Sequence, residues 1–259
     1  GKLTTRIGDP RCRGVLKMLH SLGAPEDILT SAKPHIGTDI LRRVVENAAE
    51  RLTELGGEIR YYTALTELPM RSGEVGRIMT DGGEIECGAV VLAVGHSARD
   101  TYSMIMRRGY EVVPKAFSMG LRIEHLREDI DRSLYGDDAG HPLLPPAEYA
   151  MSRHYGERTA YTFCMCPGGE VVAASSEEGL LAVNGMSRYA RDGRNSNSAV
   201  LVSIAASDTP DGQIELQRRY ERAAFLAGGG RYRAPVQTVG DFMSGGVNAL
   251  PSRVLPTYM

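Results

Sequence analysis

The sequence predicts an α/β unit followed by an α+β unit. Two observations favour this order. Within the first 111 of the 259 residues, a helix-period apolar stripe gives way to short strand-like segments. From residue 112 onward, apolar and polar residues alternate over several segments, which is typical of half-buried strands. We therefore place a domain boundary near residue 112, with units at 1–111 and 112–259.

The first unit begins with two predicted helices. Residues 10–22 form the first, which ends at Gly23 because glycine favours the C-terminal cap. The second begins near Thr38 and ends at Gly56. Its apolar residues recur every three or four positions and predict a buried stripe of Ile40, Leu41, Val44, Val45, Ala48, Ala49, Leu52 and Leu55.

A β-meander and an apolar strand follow these helices. The meander is predicted as a strand at 59–68, a strand at 77–80, a turn at 81–83 and a return through 84–87. The continuous apolar run at 89–95 predicts a strand that is covered on both faces, as in a parallel or mixed sheet. A short helix that ends at Gly109 completes the unit.

The second unit is predicted to be rich in strands. Strands are predicted at 117–124, 159–166, 170–175 and 199–206. Helices are predicted at 126–134, closed by Gly136, and at 209–227. Pro167-Gly168 fits the central positions of a type II turn, so we predict that 159–166 and 170–175 form a hairpin. Asn184-Gly185 is a second hairpin signal.

Composition and charge argue against several classes of function. The net charge is −2 without a basic block, so we expect no dedicated nucleic-acid surface. The apolar runs are too short to span a membrane, and the first residues lack the apolar core of a signal peptide. The four cysteines are too scattered for a disulfide framework, which favours a cytoplasmic location, and no metal-ligand spacing is present.

The end of the apolar strand is the first candidate ligand site. In open α/β sheets, ligands bind where strands end and small residues allow the backbone to approach. Ala93, Val94, Gly95 and His96 fit that position. The simpler alternative is a buried strand that leaves its sheet through a glycine turn. The sequence contains no Gly-x-Gly-x-x-Gly after a strand and no phosphate-binding loop, so this chain lacks an evident pyrophosphate site.

Three further groups could carry chemistry. Cys164 and Cys166 share one face of a regular strand and could do redox chemistry, but buried cysteines that pack as small apolar residues are more common. Arg122 and His125, beside Glu124, could bind an acidic substrate or supply a proton, or could form a solvated face with a surface ion pair. In the donor-rich loop 188–197, Arg191 and Arg194 could bind a phosphate or carboxylate, although an exposed loop is the more common case.

Six runs of the sequence carry a resemblance to a known family. They are 1–6 (GKLTTR), 33–39 (KPHIGTD), 91–101 (VLAVGHSARDT), 120–125 (GLRIEH), 161–178 (YTFCMCPGGEVVAASSEE) and 184–187 (NGMS). Together they resemble an uncharacterised family of bacterial FAD-dependent dehydrogenases in the glutathione-reductase-like class of flavoproteins.

The resemblance implies a fold and a cofactor. It makes 1–111 part of a FAD/NAD(P)-binding Rossmann-like domain with a β-meander, and 112–259 an inserted substrate-binding domain with a mixed sheet. FAD would exchange a hydride with a small-molecule substrate or with NAD(P)H. The implied cofactor-binding residues are Lys2, Thr4, Thr63, Ala64, Ala93, Val94, Gly95 and His96, with Val94 where threonine is usual. The candidate catalytic residues are Arg122, His125, Cys164 and Cys166.

The departures from the family predict that this chain is a middle fragment. Members begin with a βαβ unit that carries Gly-x-Gly-x-x-Gly, expected before Gly1, and close with a flavin-binding segment, expected after Met259. We therefore expect the chain alone to bind FAD weakly and to be inactive. The alternative function is a non-enzymatic ligand-binding or interaction module that keeps the flavoprotein fold.

Overall fold

The computed structural model describes residues 3–5, 7–70, 73–209, 212–250, 254 and 256–258. The α-helices of that part are α1 (Arg11–Ser21), α2 (Thr38–Glu54), α3 (Arg99–Arg107), α4 (Arg127–Tyr135), α5 (Gln213–Ala227) and α6 (Val239–Ser244). The strands are β1 (Leu65–Glu67), β2 (Arg77–Thr80), β3 (Gly83–Glu86), β4 (Phe117–Leu126), β5 (Ser152–Tyr155), β6 (Arg158–Cys166), β7 (Gly169–Ala173), β8 (Val183–Ser187) and β9 (Asn195–Ile204).

The helices α1 and α2 and the turn between them enclose a small apolar core. Ile28, Ile36 and Val44 are fully buried there. The residues packed against this core include Leu16, Leu19, Ile40 and Leu41. The predicted α2 stripe is confirmed in part, since Val44 is buried and Ile40, Leu41, Ala48 and Ala49 are half-buried. It is wrong for Val45, Leu52 and Leu55, which are exposed.

The meander forms a three-stranded antiparallel sheet in the order β1-β2-β3. Its central strand is confirmed, and β2 pairs with β3 from Arg77↔Glu86 to Thr80↔Gly83. The predicted strand at 59–68 is too long, since only Leu65–Glu67 is a strand. Tyr62 has a φ of +53°, which interrupts an extended backbone before β1.

The predicted buried strand at 89–95 is not formed. None of the three sheets that the structure describes contains this run. Val91 is 88% exposed, and residues 93–96 are exposed as well. A strand needs the backbone groups of a neighbour, and all pairings described here are antiparallel and lie elsewhere. The described residues therefore combine α-helices with antiparallel sheets, without the mixed or Rossmann-like sheet that we predicted.

A four-stranded antiparallel sheet in the order β4-β9-β6-β5 dominates the second unit. The strands β4 and β9 pair along ten residues, from Phe117↔Ile204 to Leu126↔Asn195. The prediction of a strand at 117–124 is confirmed, and so is the helix that Gly136 closes with a φ of +59°. The predicted strand at 199–206 begins earlier, because the polar residues 195–198 belong to β9 and are buried.

Both hairpin predictions are wrong. The strands β6 and β7 lie in different sheets, and β7 pairs with β8 instead. Pro167-Gly168 therefore carries the chain from one sheet to the next, and Gly168 packs so closely that a Cβ would lie 1.8 Å from the Arg191 carbonyl oxygen. Asn184-Gly185 lies inside β8 rather than in a turn. Of the helices that the structure describes, none is long and apolar enough to cross a membrane.

Candidate functional site

A cavity of about 260 Å³ opens between the N-terminal part of the chain and the four-stranded sheet. Thr4 and Lys33 line it from the first unit. Tyr149, Cys164 and Arg191 are among the residues that line it from the second. The cavity therefore lies where the two predicted domains meet, which is a common location for ligand sites.

A backbone irregularity in β6 brings Cys164 to this cavity. The pairing of β6 with β9 shifts register between Phe163 and Cys166, and Cys164 has a φ of +47°. This irregularity breaks the strand alternation, so Met165 and Cys166 are both buried. The two thiols therefore do not share one face as predicted, since only Cys164 lines the cavity. All four cysteines of the chain lack a disulfide.

The guanidinium of Arg122 is held beside the buried end of β9. Its Nη1 donates to Asn197 Oδ1 at 2.7 Å, and its Nη2 lies 3.5 Å from Asn184 Oδ1. A Cβ on Gly185 would lie 2.3 Å from Arg122 Nη1 and 2.2 Å from Asn197 Oδ1. The Asn-Gly pair that resembles a turn in sequence therefore makes room for this guanidinium.

His125 contacts the cavity through Tyr149. The His125 Nε2 and Tyr149 hydroxyl lie 2.7 Å apart, and the two rings meet edge to face. Burial lowers the pKa of His125, against the opposing effect of Asp129 and Glu124, and burial raises the pKa of Tyr149. Within the described residues, His125 Nδ1 is buried without a hydrogen-bond partner. At neutral pH the pair is therefore an uncharged imidazole beside a protonated phenol, which can hold or pass a proton at the cavity wall.

The charged residues of the cavity form one chain of ion pairs. Glu148 accepts from Arg191 Nη1 at 2.9 Å and from Lys33 Nζ at 3.2 Å. The side chains of Arg191 and Glu148 are each 16% exposed, whereas that of Lys33 is 71% exposed. The predicted loop 188–197 is therefore not simply an exposed loop, because Arg191 points inward and 195–197 form the start of β9.

Of the predicted cofactor residues that the structure describes, all except Thr4 lie apart from this cavity. Lys2 is outside the described residues, and Thr4 is at the cavity wall. Thr63 and Ala64 precede β1, where the Ala64 N–H donates to Asp81 Oδ1 at 2.9 Å. Ala93, Val94, Gly95 and His96 are exposed and do not line the cavity.

The segment that follows His96 is anchored by a buried arginine. Arg99, at the start of α3, is 2% exposed and pairs with Glu177 and Glu221. Ser97 is also bound, since Ser176 donates to its hydroxyl oxygen at 2.8 Å. These contacts fix the segment against the chain after β7 and against α5.

Sequence reasoning missed four of the residues that build these sites. Lys33 and Arg99 lie inside runs that carry the family resemblance, and that is the signal that could have found them. Glu148 and Tyr149 lie in an irregular segment without a periodic pattern, so only the folded chain relates them to Arg191 and His125. Across the described residues, no group of three or more His, Cys, Asp or Glu could hold a metal ion.

Comparisons with known proteins bear on the cofactor. Residues 116–259 match the family described as "FAD-dependent protein, C-terminal domain-like". A protein of Clostridium beijerinckii named "Uncharacterized protein" is 47% identical over 264 residues, which is 100% of this chain and 50% of that protein. The chain thus spans about half the length of the curated relative that it matches. The family match at residues 116–259 covers more than half of the sequence. On that basis the chain belongs to the FAD-dependent protein, C-terminal domain-like family.

Proposed function

We propose that the full-length protein is a FAD-dependent oxidoreductase and that this chain supplies the substrate side of its active site. The family supports the association with FAD. The observation that carries the substrate site is the cavity that Thr4, from the segment expected along the flavin, shares with Cys164. When bound, FAD supplies the hydride acceptor or donor, and the protein supplies orientation and proton handling.

The described residues fit one part of FAD rather than the entire cofactor. The cavity of about 260 Å³ is smaller than most pockets for drug-sized ligands, which begin near ~300 Å³. Gly95 leaves open space around its backbone, with a φ of +71°, so a ligand can approach there. The sequence, however, contains no glycine-rich pyrophosphate loop. We infer that Thr4 lies near the ring and that Ala93–His96 contact another part of the cofactor.

The residues of this chain would transfer the substrate proton and position the groups around the cavity. Tyr149 presents its hydroxyl to the cavity and His125 lies behind it, so this pair is suited to take or return a proton of the substrate. Arg122 contacts Asn197 and acts as a positioning residue for the buried end of the sheet. Met165, which also lines the cavity, and Cys166 are both buried next to Cys164 in β6.

The test is anaerobic reduction of the flavin in the full-length protein by a panel of small-molecule donors that includes NADH and NADPH. We expect at least one donor to reduce the flavin. Tyr149→Phe should lower the reduction rate about 100-fold or more, with the flavin content unchanged, because the hydroxyl that moves the proton is gone. Tyr155→Phe, on the exposed strand β5, is the matched control and should react at the wild-type rate.

Two results would reject parts of the proposal. A Tyr149→Phe protein that reduces its flavin at the wild-type rate removes the His125–Tyr149 pair from the mechanism. A flavin that no donor reduces supports the alternative of a non-enzymatic ligand-binding module. For the chain alone, we expect an absorbance spectrum without stoichiometric flavin.

A further inference from the structure

Two strained residues meet in the cavity. Among the described residues, Tyr62, Cys164, Arg191 and Tyr232 are the non-glycine residues with positive φ. Cys164, at +47°, and Arg191, at +51°, both line the cavity. Such backbone strain persists only where the surrounding structure imposes it, and it is concentrated at functional sites.

The surroundings of Arg191 fix its strained backbone. Gly168 packs on the Arg191 carbonyl group, where a Cβ would lie 1.8 Å from the oxygen. Arg127 Nη1 donates to the same carbonyl oxygen at 3.2 Å. The Gly193 N–H donates to the Gly168 carbonyl oxygen at 3.1 Å, so the backbone on both sides of Arg191 is held against Gly168. The backbone therefore directs the Arg191 side chain toward Glu148.

The charges of the cavity do not cancel. Among the described residues, the charged ones that line it are Lys33, Glu148 and Arg191, and their net charge is +1. The side chains of Arg191 and Glu148 are mostly buried, and that of Lys33 is 71% exposed. An uncompensated charge in a partly enclosed cavity favours an anion of opposite charge.

From these contacts we infer that the cavity binds a small monocarboxylate next to Cys164, with Arg191 and Lys33 taking its negative charge. This inference rests on the proposed function only in treating the cavity as the substrate site. Arginine presents a planar fork that suits a carboxylate, and the single net positive charge matches a monoanion. A phosphate fits less well, because none of the described residues that line the cavity belongs to a helix N-terminus or a glycine-rich loop.

Cys164 makes the inference measurable without knowledge of the substrate. Iodoacetate carries the carboxylate that the cavity should attract, and iodoacetamide is its neutral counterpart; in both cases the thiolate sulfur displaces iodide. We would label the full-length protein with each reagent and quantify Cys164 by peptide mass spectrometry. The ratio of the iodoacetate rate to the iodoacetamide rate is also measured in the urea-unfolded protein. Comparison with that value corrects for the intrinsic difference in reactivity between the two reagents.

We expect the iodoacetate-to-iodoacetamide ratio at Cys164 to be about fivefold higher in the folded protein, the factor that one opposite charge ~4 Å away gives even at the dielectric constant of water. Lys33→Gln and Arg191→Gln should lower the ratio, and Glu148→Gln should raise it. Arg188→Gln, on the same loop with an exposed side chain, should leave it unchanged. The opposite direction for Glu148→Gln separates an electrostatic role from loss of structure. Lys33→Gln alters an exposed side chain, so it tests the charge even where Arg191→Gln fails to fold.

Several results would overturn the inference. They are a ratio equal to that of the unfolded protein, a Cys164 that reacts with neither reagent, and a Glu148→Gln change in the same direction as Lys33→Gln. Protection of Cys164 by inorganic phosphate at concentrations where acetate gives none would assign the site to phosphate instead. The labelling requires no turnover, so a protein with inert flavin and a high ratio rejects the proposed function and keeps this inference.

Discussion

Replacement of Arg99 by methionine is the perturbation that tests the contact between α3 and α5. Arg99 Nη1 donates to Glu177 and Glu221 at 2.9 and 3.1 Å, and Nη2 donates to Gln217 and Glu221 at 3.1 and 2.6 Å. Methionine keeps much of the volume but removes every one of these donors. The guanidinium is 2% exposed and the Glu221 side chain 16% exposed, so the carboxylate would be left buried and unpaired.

The size of the expected destabilisation follows from the burial of this ion pair. Removal of one partner from a buried ion pair costs about 3–5 kcal/mol. Glu177 keeps its second partner, because Arg218 Nη2 donates to it at 2.7 Å, so we expect the lower end of this range. A free-energy change of about 3 kcal/mol corresponds to a more than 100-fold increase in local opening, since ~1.4 kcal/mol is a factor of ten.

The assay is hydrogen–deuterium exchange of the full-length protein, read on peptides that cover Arg99–Arg107 and Gln213–Ala227. Arg107→Met, at an exposed position near the end of α3, is the matched control and should change exchange less than about threefold. Less than a tenfold increase for Arg99→Met, or an equal increase for Arg107→Met, would refute the reasoning from burial.

Three further predictions concern other parts of the chain. Arg218, and secondarily Arg99, lower the pKa of Glu177 from 4.5 to about 2, so the stability that this carboxylate contributes should be complete above pH 4.5 and lost as the pH falls through about 2. Glu177→Gln should flatten the decrease in melting temperature below pH 4.5, whereas exposed Glu178→Gln should leave it unchanged. Gly185→Ala should displace Arg122 and destabilise the protein by about 1–3 kcal/mol in urea unfolding, because its Cβ has no room, whereas Gly14→Ala has open space and should be neutral or stabilising. Amide exchange at residues 89–95 should be fast in this chain and much slower in the full-length protein, where we expect a neighbouring strand; equal rates would contradict the Rossmann-like prediction.

Local patterns predicted the parts of the fold that depend on local physics. The apolar period of α2, the alternation of β4 and the glycine at 136 each act within a few residues, and all three lie where expected. The asymmetry of α2 was not predictable in the same way. Val44 is buried and Val45 is exposed because of what packs against the helix, which sequence periodicity cannot specify.

The errors arose where distant segments decide the structure. Pro167-Gly168 does form a turn, with Gly168 at a φ of +54°, but the turn connects two sheets and packs on the Arg191 carbonyl group. Asn184-Gly185 has the composition of a turn but lies in β8, where Gly185 leaves room for the Arg122 guanidinium. For the candidate site, the sequence identified Arg122, His125 and Cys164 by residue type and resemblance. It could not relate them to Tyr149, which is 24 residues from His125 in the chain and 2.7 Å from it in space.

The central claim is that the cavity at Cys164 lies against the flavin of the full-length protein, and alkylation of Cys164 tests it most directly. The full-length protein would be modified with iodoacetamide until Cys164 is stoichiometrically labelled, with Cys164→Ser treated alike as the control. We predict a shift in the visible flavin spectrum and a slower reduction of the flavin in the labelled protein only. Complete labelling of Cys164 with an unchanged flavin spectrum and an unchanged reduction rate would contradict the assignment of this cavity to the active site.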